Sequence, residues 1–178
     1  MAYTGRSARR GASAVDLGVA INRAPPGESC KFTDIFVGFD KVGAVRRIFG
    51  RKSKEVLEST TIHLVQREGY LRVDNDTGDI IVCEPYLRKA DVRHFYLDLI
   101  HELVHVRQHL EGKELYDKKY SYVERPTEIE AYSLAVGEAR RIGMTEEEIV
   151  EYLDVEWVSE EDFKRLLKAV GVAAAQDT

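Results

Sequence analysis

From Lys89 to Glu111 apolar residues recur at Val92, Phe95, Tyr96, Leu99, Ile100, Leu103, Val104 and Val106, a spacing that commits the middle of the chain to one long amphipathic helix. Gly112 follows it where a left-handed C-cap is favoured. Ahead of this helix the period changes to two. Thr61 to Gln66 alternates Ile62, Leu64 and Gln66 against His63 and Val65, and Tyr70 to Val73 and Asp79 to Cys83 are also β-rich. The turn-rich segment Asp74-Asn75-Asp76-Thr77-Gly78 between the last two predicts a hairpin, so three antiparallel strands are the economical reading. A short helix is expected from Val42 to Phe49. Beyond the long helix, Pro126-Thr127-Glu128 opens a second one that should run to about Ile142 and stop at Gly143. Thr145 with Glu148, then Ser159 with Asp162, mark the starts of two more, ending near Leu153 and Val170. The expected fold is a single α+β domain. In it a small antiparallel three-stranded sheet packs on the long helix, with the second helix opposite and two C-terminal helices trailing.

On the long helix stands His101-Glu102-Leu103-Val104-His105. Imidazoles four residues apart lie about 40° apart around a helix and roughly 6 Å along it, so both can converge on one zinc ion from one face. Glu102, next to the first ligand, is placed to reach a water on the ion without binding the metal itself. Its carboxylate would accept the water's proton and pass it to a leaving amine. The competing reading is two histidines and a glutamate fallen on a helix by chance. Apolar surroundings weigh against it, because buried imidazoles without a metal need other partners. His109 lies eight residues past His101, about 12 Å along a helix and too far to share the ion. It reads as a polar residue on the helix flank, and His94 and His63 read as ordinary helix and strand residues. Tyr116, Tyr120 and Tyr122 follow in the loop between the two helices; packing is the plain reading of each, and one hydroxyl is a candidate oxyanion donor.

His101 to His105, followed after a short loop by Glu128-Ile129-Glu130-Ala131-Tyr132, resembles the gluzincin clan of zinc metallopeptidases. The small size, the preceding strands and the Glu-x-x-Ala pattern resemble the minimal gluzincins and ImmA/IrrE-type domains most. The resemblance covers roughly residues 60 to 142. It implies Zn2+ as cofactor, hydrolysis of peptide bonds in a protein or peptide substrate, and a third ligand from a glutamate on the second helix, with the fourth zinc position open for water. Glu128 and Glu130 point about 200° apart on a helix, so only one can face the ion. Glu128 is the expected ligand because it shares its face with the small residues Ala131, Ala135 and Ala139, which allow close approach to the long helix. The chain departs from the family pattern in having Tyr132 where an acidic residue would orient a histidine. ImmA/IrrE-type domains often act on one regulatory protein, so the alternative function is a catalytically idle zinc module that binds a protein partner. Retention of Glu102 favours an enzyme, since a purely structural site has no use for a base. If the strand Asp79 to Cys83 stood at the sheet edge, it would be able to pair with an extended substrate.

At 178 residues the chain suits one core. Its apolar stretches fall well short of the ~20 residues needed to cross a bilayer, and its start lacks the apolar middle of a secretory signal, so the expected compartment is the cytoplasm, without membrane contact. A net charge of -5 argues against a general nucleic-acid binder, because phosphate affinity comes from concentrated Lys and Arg. The basic cluster Arg6, Arg9 and Arg10 reads as a solvated tail. Residues 1 to 30 mix Gly, Ala, Ser, Arg and Pro without steady periodicity and read as a mobile arm or pro-segment, with the domain running from Lys31 to residue 178. Cys30 and Cys83 are too few for a disulfide framework, and each reads as a small buried apolar residue. Cys30, at the junction of arm and domain, has a second reading in which its thiolate fills the open zinc position and confers latency.

Overall fold

The helical run around the two histidines forms α5, Val92–Leu110. It begins later than its periodicity suggests because Asp91 caps it. The Asp91 carboxylate accepts the backbone N–H groups of Arg93 and His94 at 2.9 and 3.2 Å. The preceding turns make a separate helix, α4, Glu84–Lys89, with Pro85 in its first turn. At the other end Gly112 takes a φ of 73°, and the Lys113 N–H donates to the Gln108 carbonyl at 2.9 Å, closing the expected left-handed cap. In this computed structural model, which describes residues 16–25 and 27–173, α5 is buried nearly all round. It is a core helix, buried over more of its circumference than a single amphipathic stripe requires. Polar side chains on it must therefore find partners inside the protein.

The three strands read from the sequence are present as β4 (Thr61–Val65), β5 (Leu71–Val73) and β6 (Ile80–Cys83), but the sheet they form differs from the expected one. β5 and β6 make the antiparallel hairpin, with Leu71 opposite Val82 and Val73 opposite Ile80. β4, however, runs parallel to β6, with Ile62 opposite Ile80 and Leu64 opposite Val82. The reason is the link after Val65: it carries the chain past one strand position, and the hairpin then returns β6 into the gap. β6 is therefore interior and β5 is an edge, contrary to an edge position for 79–83. A fourth strand, β2 (Ser29–Lys31), pairs antiparallel with β4, and the order is β2-β4-β6-β5. A second, two-stranded sheet joins β1 (Ala20–Ile21) to β3 (Phe36–Val37).

β1 and β2 come from the segment assigned to a mobile arm, so structured chain begins before the predicted boundary at Lys31. Residues 1–15 of that arm, with Arg6, Arg9 and Arg10, lie outside the described residues. Three short helices, α1 (Phe32–Ile35), α2 (Gly43–Phe49) and α3 (Ser53–Ser59), connect β2, β3 and β4. On the sheet, Ile62, Leu64, Leu71, Val73, Ile80 and Val82 are all buried, and α5 packs against β5 and α2.

After α5 come α6 (Pro126–Arg141), α7 (Glu146–Leu153) and α8 (Glu160–Ala169), close to their predicted bounds. Thr145 and Glu148 form the reciprocal capping box, and the Ser159 hydroxyl accepts the Asp162 N–H at 3.2 Å. α6 lies along α5, and Ala131, Ala135 and Ala139 are fully buried between them and their neighbours. Tyr96 of α5 donates to the fully buried Glu138 of α6 at 2.5 Å, and Arg141 satisfies the same carboxylate. Among the described residues no helix is long and apolar enough to cross a membrane.

The hairpin turn is locked onto α5. Gly78 has a φ of 77°, and a Cβ there would stand 2.5 Å from Nδ1 of His109, so that histidine wedges the turn and does not approach the other two. Gly78→Ala is expected to destabilise the fold by about 1–2 kcal/mol through the left-handed backbone alone, and by more through the contact. Urea denaturation of Gly78→Ala with and without His109→Ala separates the two contributions, the second substitution restoring only the contact part.

Candidate metal centre

Two helices bring three ligand atoms to one point. On α5 the Nε2 atoms of His101 and His105 lie 3.0 Å apart. From the first turn of α6, Glu128 Oε2 faces them at 3.3 and 3.5 Å without making a hydrogen bond to either. A tetrahedral zinc ion with bonds of about 2.0–2.1 Å spaces its ligand atoms about 3.3–3.4 Å apart, so this triangle has the size of one tetrahedral face. All three side chains are buried, and among the described residues they are the cluster whose ligand atoms converge this way. Three electron-rich atoms this close repel one another unless a proton or cation stands between them.

The electrostatics agree. Burial alone would raise the Glu128 carboxyl, but the facing imidazoles outweigh it and hold its pKa at about 2. Burial would lower the His105 imidazole, and the Glu128 and Glu102 carboxylates more than offset it, raising its pKa to about 9. At neutral pH the metal-free site thus carries a proton on His105, and a bound cation must displace it. Metal affinity is expected to rise about tenfold per pH unit up to roughly pH 9. Chelator competition across a pH series measures this, and a pH-independent affinity between pH 6 and 8 would contradict it.

His105 has a support that the sequence reading missed. Its Nδ1 pairs with Gln108 Oε1 at 2.7 Å, which fixes the tautomer that leaves Nε2 facing the cluster. Gln108 is itself fully buried and held by its amide, which donates to the Thr127 carbonyl at 3.0 Å and to Glu130 at 2.7 Å. The i, i+3 spacing from His105 was the available signal. Gln108→Ala is expected to weaken metal binding about 10–100-fold with the ligands intact, as read by zinc competition titration. His101 Nδ1 has no hydrogen-bond partner, consistent with Tyr132 standing where an acidic residue was sought. The Tyr132 ring instead packs edge-on against the His101 ring, with centroids 4.4 Å apart.

Glu130 points elsewhere. It is paired with Arg107 and Lys113 as well as Gln108, and is more exposed than Glu128. Cys30 lies in β2 opposite Ile62, and neither it nor Cys83 belongs to the converging group, which removes the basis for a thiolate in the metal position. His63 pairs with Asp79 at 3.0 Å and His94 packs on the Tyr152 ring, both away from the cluster.

Glu102 is not one of the converging ligands; it lines a cavity of about 60 Å3 that His101 also lines. Its side chain is buried and its Oε2 has no hydrogen-bond partner. Burial raises its pKa, with the Glu128 and Asp98 charges adding and the two imidazoles opposing. Of the three loop tyrosines only Tyr122 lines this cavity. Tyr116 donates to the Val73 carbonyl of β5, and Tyr120 lies on a separate groove with Ile129 and Arg165. The Tyr122 and Tyr132 hydroxyls are 2.8 Å apart, and burial pushes both pKa values far above the phenol range, so both stay protonated; one donates to the other, which leaves one hydroxyl hydrogen for a further acceptor. Comparison with family models, curated proteins and solved structures finds no match to this chain.

Proposed function

We propose that this chain is a zinc-dependent metallopeptidase of gluzincin type, with His101, His105 and Glu128 as ligands and Glu102 as general base. The observation that carries the reading is the buried, half-unpartnered Glu102 carboxylate beside three converging ligand atoms. A carboxylate kept dry and unpaired costs stability, so its retention calls for chemistry. Two imidazoles and a carboxylate suit zinc, which when bound polarises the scissile carbonyl and acidifies the attacking water. Glu102 accepts that water's proton and returns it to the leaving amine, and its raised pKa brings it toward the working range for both transfers. The hydroxyl pair of Tyr122 and Tyr132, one of which accepts from the other, supplies a donor for the developing oxyanion. Edge strand β5, whose Leu71 lines the cavity, offers the backbone rail that β6, being interior, does not.

Metal analysis of the full chain with a peptide-library digest tests the proposal. Zinc should copurify at a stoichiometric level, and cleavage should stop on chelation and return with zinc. A zinc-loaded chain that cleaves no library member, yet binds a protein partner, would replace the enzyme with the regulatory module.

A further inference from the structure

The cavity beside Glu102 has a chemistry that peptide hydrolysis does not require. Its walls are aromatic, from Tyr70, Tyr122, Tyr132, Tyr152 and Trp157, and it holds a second carboxylate, Asp98. Among the described residues no Lys or Arg lines it. The rings of Tyr70 and Tyr122 each meet Trp157 at a steep angle, 65° and 73°, with centroids 4.9 and 6.4 Å away, as the walls of a corner do. Asp98 stands one helical turn before His101 and Glu102 on α5. Each of its oxygens accepts a tyrosine hydroxyl, Oδ2 from Tyr86 at 2.5 Å and Oδ1 from Tyr152 at 3.0 Å. Those two bonds aim the carboxylate, and each oxygen keeps a second lone pair. Aromatic side chains gathered around a fixed carboxylate make an environment suited to an organic cation. The volume, about 60 Å3, is room for roughly two waters, which an ammonium head replaces without strain.

We propose that this cavity is a cation subsite, taking a primary ammonium group of the substrate next to the scissile bond, with Asp98 as the counter-charge and the tyrosines and Trp157 as the cage. The ammonium comes from a lysine side chain or from the peptide's α-amino terminus. The proposal rests on the peptidase reading for its context, but ligand binding can be measured without turnover.

Trp157 is the chain's single tryptophan and sits half-exposed at the cavity, so its fluorescence reports on this site alone. Three probes are titrated into the zinc-loaded chain: Nα-acetyl-lysine methylamide, with a side-chain ammonium only; norleucine methylamide, with an α-ammonium only; and Nα-acetyl-norleucine methylamide, with neither. At least one cationic probe should change the emission saturably, and the one that does identifies the source, while the neutral probe should bind about tenfold more weakly or not at all. Asp98→Asn should weaken the preferred cation about tenfold or more with zinc content unchanged. Because Asp98 is partly buried, Trp157→Leu, read by calorimetry, provides a second variant whose folding is not at risk, and it should also weaken cation binding. Equal response to all three probes overturns the subsite, as does undiminished cation binding in both variants. If the cation binds and no peptide is cleaved, the subsite stands and the peptidase reading falls; if peptides are cleaved with no preference for a cationic residue and no probe binds, the reverse holds.

Discussion

Glu102→Gln should retain zinc and lose peptide hydrolysis by about 10²–10⁴-fold. The substitution keeps the shape of a side chain that is buried and has one unpartnered oxygen, so neither ligand helix need shift. It removes the one property the proposed mechanism uses, because an amide cannot accept the attacking water's proton. Stability should hold or rise, and the sign follows from the raised pKa of Glu102. A carboxyl whose folded pKa lies above its unfolded value binds its proton more tightly when folded, so its ionised form costs stability at neutral pH. A neutral amide relieves that cost. The expected combination is therefore unchanged zinc content, a melting temperature equal to or above the parent's, and turnover lowered by that factor. Full turnover in the variant would remove Glu102 from the mechanism, and loss of zinc would mean that its carboxylate belongs to the ligand set.

What was legible in the sequence is what one helix determines by itself. The convergence of His101 and His105 follows from a four-residue spacing, and the choice of Glu128 follows from the stripe of Ala131, Ala135 and Ala139, because small side chains decide which face of α6 can approach α5. Local capping at Thr145 and Ser159 was equally readable, being settled within four residues. The sheet was not. Strand β2 has only three residues and an exposed-intermediate-exposed pattern, so no alternation distinguishes Ser29–Lys31 from a loop. The parallel pairing of β4 with β6 depends on which gap the hairpin fills, and strand pattern is the same for either neighbour. The cavity was hidden for the same kind of reason. Asp98 and Tyr132 sit one turn from a ligand or the base and were within reach of helical spacing, whereas Tyr70 and Trp157 come from segments far apart in the chain and meet only through the fold.

Glu128→Ala should lower zinc affinity by more than about a hundredfold, beyond the loss that removal of a supporting partner causes. Two consequences of one atom add up here. Glu128 Oε2 is the third corner of the ligand triangle, and its charge would neutralise half of a divalent ion held among buried side chains. Without it the two imidazoles offer an incomplete set, and His105 loses the main group that raises its pKa. Metal binding in the variant should then depend less steeply on pH near neutrality, even as it weakens. Glu130→Ala is the matched control, two residues away on the same helix and also a carboxylate. Glu130 is held by Arg107 and Gln108, and its loss reaches the metal only through Gln108, which keeps its bond to the Thr127 carbonyl. Its effect on zinc should therefore stay within about tenfold, the low end of what loss of a supporting partner causes. Zinc retained after dialysis against a weak chelator separates the variants. Loss of metal in Glu130→Ala with retention in Glu128→Ala would reverse the assignment, and retention in both would move the third ligand away from α6.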